Sequence, residues 1–217
     1  MLKFRYLLFL FFGFYIVSSA EKGNEESLLA EELYKKLYKQ QRREQLDAIK
    51  KFQKLSNHKK QYSTINLMSQ KIFETIINSR VLLESSSFIP GVSNFPLEEK
   101  IREALSNILE NTALFSELVL RFPEISSNLL KSNNNWNLVF QWGIAFSYQM
   151  KYLLDENTIT LLKLVGQELN HTERDPNYVN PYRKAPLKRD NVEVIPPKKK
   201  LRRVIKKGPK LSVHNEL

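Results

Sequence analysis

The chain contains no cysteine. Small domains in oxidising compartments that bury too little core are usually stapled by disulfides. This one must hold itself together by packing, which a body of about 160 residues can do. Thiol catalysis, thiolate metal sites and disulfide exchange are excluded as well. Histidine is nearly as scarce: His58 falls in a polar turn, His171 in a glycosylation sequon and His214 in the C-terminal segment, and no two have the spacing of paired metal ligands. There is no Gly-rich phosphate loop and no nucleophile elbow. The adjacent carboxylates Glu98-Glu99 and Asp155-Glu156 would point about 100° apart on a helix, so neither pair converges on a substrate. Both pairs read as helix starts, where the dipole favours anions. These absences argue against an enzyme and against a bound metal or cofactor.

Long apolar runs are missing too. The one candidate, Tyr6 to Val17, has 12 residues, whereas a membrane-spanning helix needs roughly 20. It follows Met1-Leu2-Lys3-Phe4-Arg5 and precedes Ser18-Ser19-Ala20. A cationic start, a short apolar core and small residues at a cleavage point make residues 1–20 a secretory signal peptide, with an uncleaved signal anchor as the alternative. Cleavage would leave a chain beginning near Glu21 with no membrane span. At the other end, His214-Asn215-Glu216-Leu217 is a variant of the Lys-Asp-Glu-Leu retrieval address, read by a receptor. The two patterns reinforce one another, because a retrieval address has meaning only on a chain that entered the secretory pathway. The expected location is the lumen of the endoplasmic reticulum, with partial secretion. Asn170-His171-Thr172 is the only N-glycosylation sequon and makes Asn170 the expected glycan acceptor.

Charge is distributed unevenly. Residues 21–182 carry 20 basic and 20 acidic side chains, whereas residues 183–217 carry 12 basic and 3 acidic. The overall charge of +11 therefore belongs mainly to the C-terminal segment. Beyond His171, Pro176, Pro181, Pro186, Pro196, Pro197 and Pro209 punctuate the chain. Together these features predict a disordered basic tail over 173–217, following a helical domain over 21–172.

The body reads as all-α, a bundle of five or six helices, since nothing in it alternates with period two for long. The first helix, Glu25 to about Ser56, is long and coiled-coil-like. Leu29, Leu33, Leu37, Leu46, Ile49 and Leu55 form its expected apolar face, opposite Lys35, Lys36, Lys39, Arg42, Arg43 and Lys50. A second helix, about Lys59 to Glu84, presents Ile65, Met68, Ile72, Ile76 and Leu83, widened by Tyr62, Phe73 and Val81. A third opens at Asn94-Phe95-Pro96, with Pro96 near the first helical position, and presents Leu97, Ile101, Leu105, Ile108, Phe115, Leu118 and Phe122 before Pro123 stops it. A short helix spans Glu124 to Leu130. Trp136 to Leu154 is apolar nearly all round and is expected to be the central, buried helix. Asp155 can cap a last helix, Thr158 to Leu169, with Ile159, Leu162 and Val165 facing inward.

Three stretches carry a family resemblance. They are Tyr34-Lys35-Lys36 with Arg42-Arg43-Glu44-Gln45-Leu46; Asn111-Thr112-Ala113 with Val119-Leu120-Arg121-Phe122-Pro123; and Asn135-Trp136-Asn137-Leu138 with Trp142-Gly143-Ile144 and Phe146. Gln167-Glu168-Leu169, Lys207-Gly208-Pro209 and a terminal Glu-Leu follow in the same order. The chain resembles the coiled-coil domain-containing protein 134 family over most of its body. The resemblance implies a non-enzymatic helical protein of the endoplasmic reticulum lumen. Its implied partners are endoplasmin and the oligosaccharyltransferase at the translocon, where it would regulate the glycosylation and stability of endoplasmin. It also implies two alternatives: a secreted modulator that restrains mitogen-activated kinase signalling, and a nuclear co-regulator of an acetyltransferase complex. The tail departs from the family pattern in being more Pro-rich and less acidic, and its retrieval variant carries His-Asn.

Two places are candidates for binding partners. Arg121-Phe122-Pro123 is either a plain helix stop or an exposed Arg-aromatic anchor of the kind that interfaces favour. The stripe from Trp136 onward is ordinary core packing or a partner-binding ridge, and Asn137 and Gln141 would need hydrogen-bond partners if buried. The basic run Lys198, Lys199, Lys200, Arg202, Arg203, Lys206 and Lys207 resembles a nuclear-localisation or nucleic-acid patch. It lies on a chain with an export signal, and no aromatic residue follows Ala185 to stack on bases, which disfavours nucleic acid. A solvated tail that holds His214–Leu217 clear of the body is the preferred reading, ahead of attraction to an acidic lumenal partner.

Overall fold

Proline and asparagine set the boundaries of the helices. The computed structural model describes residues 2–54 and 57–183, with side chains from Gly23 onward. The elements are α1 (Leu2–Gln53), α2 (His58–Glu84), α3 (Glu99–Arg121), α4 (Pro123–Ser132), α5 (Asn134–Gln149), a 3-10 turn (Lys151–Leu153) and α6 (Glu156–Glu168). No strand occurs among the described residues, and the architecture is the expected all-α bundle. The backbone of α1 continues unbroken through the segment expected to be a signal peptide. Among the described residues no helix is long and apolar enough to cross a membrane.

The Asn57 side chain accepts the Lys60 N–H at 3.0 Å and so caps α2. Asn133 does the same for α5 through the Trp136 N–H at 3.2 Å. Phe122 closes α3 and opens α4 in a single residue, at φ −131° and ψ 56°. Pro123 disfavours the helical conformation at the residue before it, while itself fitting the first helical position. Asp155 precedes α6 but gives its backbone no side-chain bond; its Oδ1 instead accepts the Thr158 hydroxyl at 2.6 Å.

The central helix is α3, not the expected α5. It packs against α1, α2, α4, α5 and α6. All residues from Phe115 to Leu120 are buried, so this part of α3 is enclosed on every side. Its polar side chains hid this from composition, but they are satisfied internally: Ser116 donates to the Thr112 carbonyl at 2.7 Å, and Glu117 is held by two arginines. On α5 only one side is covered, with Leu138, Gln141, Ala145 and Tyr148 exposed. Thr112 of α3 meets α5 at Gly143, where an added Cβ would lie 2.6 Å from the Thr112 hydroxyl.

Two aromatic centres organise the core. Phe73, Phe115 and Phe140 meet edge to face across α2, α3 and α5, with 4.8 Å between the ring centres of Phe73 and Phe115 and of Phe115 and Phe140. Tyr34 and Tyr38 of α1 pack with Phe95, Leu105, Phe146 and Met150 at the other end. Of the residues expected inward, Ile65, Ile72, Ile76 and Leu83 are buried on α2, and Leu162 and Val165 on α6, whereas Tyr62 and Val81 are exposed. The third helix begins at Glu99 rather than at Pro96. The non-helical stretch before it carries Phe95 into the core and leaves Leu97 outside.

The orientation of α1 is the largest correction. Leu29, Leu33 and Leu37 are exposed, whereas Ile49 is buried as expected, together with Ser27, Tyr34, Tyr38 and Arg42. Two stripes compete on this helix. The tyrosine stripe wins because its rings are larger and because Arg42, expected outside, finds an acid waiting on α3. The packed body also runs on to Arg183 instead of ending at Thr172. Asn180 is buried, its Nδ2 donating to the Leu120 carbonyl at 2.9 Å, and the Tyr178 hydroxyl donates toward the Leu164 carbonyl at 3.2 Å. The basic tail and the tetrapeptide His214–Leu217 lie outside the described residues.

Candidate functional site

The buried charge is concentrated where α1 crosses α3. Glu117 accepts from Arg42 Nη2 at 3.3 Å through one carboxylate oxygen and from Arg121 Nε at 2.9 Å through the other. All three side chains are less than a tenth exposed. Arg42 Nη1 donates to Gln45 at 2.7 Å, and Arg121 Nη1 to Gln53 at 3.1 Å. The Arg121 guanidinium lies 4.0 Å from the centre of the Tyr182 ring. One carboxylate thus serves two guanidiniums, and two glutamines and an aromatic face take up the surplus charge. The cluster ties α1, α3 and the segment near Tyr182 together.

Arg121 and Phe122 are therefore not an exposed anchor. The Arg121 side chain is enclosed by Glu117, Gln53 and Tyr182, Phe122 packs against Phe52, and Pro123 begins α4. Trp136 is half-buried and stacks on Phe73 with 5.2 Å between ring centres, which makes it core rather than ridge. Gln141 is exposed, so its amide is free to use water. Asn137 is half-buried at the edge of a surface cleft of about 320 Å³, lined also by Ser127, Lys131, Glu168, Asn170 and His171. The structure thus brings Asn137 and Asn170 to one cleft and sets Arg121 and Phe122 apart from it.

Asn170 is exposed and holds a positive φ of 55°, the left-handed position that closes a helix. The His171 and Thr172 amides both turn back to the Gly166 carbonyl, at 2.9 and 3.3 Å. The sequon is thus folded over the end of α6, and burial holds the His171 imidazole below its usual range. A second, smaller notch of about 130 Å³ lies between Lys39, Arg42, Arg43, Glu117 and Asp155. Nearby, burial pushes Glu110 above the usual carboxylate range, opposed by the Ser106 hydroxyl and the Arg42 charge. Burial likewise pushes the Tyr34 and Tyr38 phenols up, so both stay protonated.

Sequence reasoning missed Arg42, Gln45, Gln53, Glu117 and Tyr182 as parts of one assembly. A partial signal was present: Glu117 and Arg121 are four residues apart on one helix, and Arg42 and Gln45 fall in one of the family-like stretches.

Comparison with known proteins places the chain. A family described as "ERK and JNK pathways, inhibitor" matches residues 19–212. The chain belongs to this family. Coiled-coil domain-containing protein 134 of Mus musculus is 37% identical over 164 residues, which cover 76% of this chain and 69% of the mouse protein. Its namesake in Xenopus tropicalis is 37% identical over 166 residues, with the same shares covered. The matched region contains both arginines of the cluster and Glu117, and it reaches well into the basic tail. No solved structure matches the chain.

Proposed function

We propose that this protein restrains ERK and JNK mitogen-activated kinase signalling by binding other proteins, without catalysing a reaction. The observation that carries this reading is the family match, which runs through the helical body and into the tail. The Arg42–Glu117–Arg121 cluster is consumed in holding the bundle together, which leaves the surface to partners: the cleft at Asn137, the exposed side of α5 and the outer side of α1. The test is phosphorylation of ERK and JNK in stimulated cells after depletion of the protein and after its re-expression. Depletion should raise both phosphorylations and re-expression should lower them again. Unchanged phosphorylation in both arms would refute the reading.

A second reading is favoured by the apolar leader pattern, the His214–Leu217 tetrapeptide and the exposed Asn170. In it the protein resides in the endoplasmic reticulum lumen and binds the machinery of chaperone biogenesis and N-glycosylation, regulating endoplasmin. The two readings separate by location. A glycan on Asn170 that stays sensitive to endoglycosidase H inside cells, together with release of a chain lacking His214–Leu217 into the medium, supports residence. Cross-linked microsomes in which the protein captures neither endoplasmin nor oligosaccharyltransferase subunits would sink the second reading. Kinase restraint by purified protein added from outside would favour a secreted route for the first.

A further inference from the structure

The leucine stripe on the outer side of α1 has no partner among the described residues. Leu28, Leu29, Leu33 and Leu37 are 56%, 72%, 58% and 56% exposed. Residues four apart on a helix lie about 40° from each other, so Leu29, Leu33 and Leu37 form one shallow ridge turned away from the buried Tyr34 and Tyr38. An exposed ridge of this kind, bordered by charge, marks a contact surface.

The bordering charges say what covers it. Between Glu25 and Tyr34 the helix carries Glu25, Glu26, Glu31 and Glu32 and no basic residue. Between Lys35 and Arg43 it carries Lys35, Lys36, Lys39, Arg42 and Arg43 and no acid. The helix is thus acidic before the middle of the ridge and basic after it. On one flank, at about 100° per residue, lie Glu25, Glu32, Lys36 and Arg43, all exposed.

We infer that this ridge is a self-association surface, on which a second copy of the chain packs its own α1 in antiparallel orientation about a two-fold axis at Leu33. With Leu33 against its counterpart, Leu29 of each copy meets Leu37 of the other. On the shared flank Lys36 then lies beside Glu32 of the other copy, and Arg43 beside Glu25. In a parallel pairing this flank of the two copies would lie on opposite sides of the contact, and these charges would not meet one another. A two-fold contact uses the same patch on both copies, which one helix with opposite charges on its two halves supplies unaided. The ridge spans barely more than two helical turns, well short of a standard interface, so the association is weak and reversible. This inference does not depend on the pathway reading above.

The absence of cysteine makes a direct test available. Single cysteines are introduced into the full chain, purified from a eukaryotic host, and oxidised. Leu33→Cys chains should cross-link to one another. Leu29→Cys chains should not, but an equal mixture of Leu29→Cys and Leu37→Cys chains should. In parallel, sedimentation equilibrium of the unmodified chain should show the mass rising toward twice the monomer over roughly 5 to 500 µM. Leu33→Lys should abolish that rise. Lys36→Glu should weaken it, and the exchange of both charges, Glu32→Lys with Lys36→Glu, should restore it. Circular dichroism of each variant checks that the helices remain, and these exposed positions should leave it unchanged. A monomer at every concentration, a dimer that survives Leu33→Lys, or self-cross-linking of Leu29→Cys alone would each overturn the assignment.

Discussion

Glu117 is the residue whose loss should be felt most. It sits between two arginines, and all three side chains are more than nine-tenths buried. Glu117→Gln preserves the shape and removes the charge. The amide oxygen can still accept one hydrogen bond, but the amide N–H₂ now faces guanidinium donors. Removing one member of a buried ion pair costs about 3–5 kcal/mol, because the remaining charge stays desolvated and unpaired. Here Arg121 keeps Gln53 and the face of Tyr182, and Arg42 keeps Gln45, so the cost should fall at the lower end, about 3 kcal/mol. For a domain of this size each kcal/mol moves the melting midpoint by about 2–4 °C, so thermal unfolding should shift down by roughly 6–12 °C. The exposed pair Arg80–Glu84 provides the contrast: Glu84→Gln should cost less than about 1 kcal/mol. Arg42→Met in the Glu117→Gln background should cost less than the two changes taken separately, since it removes one of the stranded charges. Denaturant unfolding followed by circular dichroism reads all four variants. A Glu117→Gln chain within about 1 kcal/mol of its parent would refute the claim that this cluster holds α1 to α3.

Three further outcomes follow from the packing. Gly143→Ala should destabilise by about 1–3 kcal/mol, although alanine is the better helix former, because its Cβ would press on the buried Thr112 hydroxyl at 2.6 Å. Adding Thr112→Ala should relieve it, and a stabilised single variant would contradict the close approach. Asn180→Ala should cost about 1–3 kcal/mol and hasten tryptic cleavage at Arg174 and Arg183, since it strips the Leu120 carbonyl of its donor; an unchanged cleavage rate would show that the segment is not anchored there. Burial raises the Glu110 carboxyl, so the fold favours its protonated form. The sign follows by linkage: its contribution is present below the ordinary carboxylate range and is lost as pH rises through the raised folded value. Glu110→Gln should therefore gain stability at pH 7 and gain nothing in acid, and an equal gain at both pH values would rule out the carboxyl as the cause.

Much of the helical layout is legible in the chain. Asn57, Asn133 and Pro123 act through their nearest neighbours, so the ends they set were readable, and the inward residues of α2 follow from a single unrivalled stripe. The candidate site was less legible. Arg121 looked like an anchor because its position near a helix end fits one, while its enclosure depends on Gln53 and Tyr182, which are remote in sequence. Asn137 and Asn170 read as unrelated residues, and only the approach of α5 to the end of α6 sets them at one cleft.

What the sequence determines by itself is local: an all-helical body, the absence of disulfide chemistry, a neutral body followed by a basic tail, and the stops and caps between helices. Periodicity, capping and proline sterics act over a few residues, and a single chain states them in full. Tertiary structure decided which of two stripes on α1 turns inward, that α3 rather than α5 lies at the centre, and that the packed body extends to Arg183. Each of these rests on a contact between distant residues, such as Arg42 with Glu117, 75 positions apart. A helix can be amphipathic in two directions at once. The face it buries is set by the partner that satisfies its charges and fills its volume, and that partner exists only once the chain has folded.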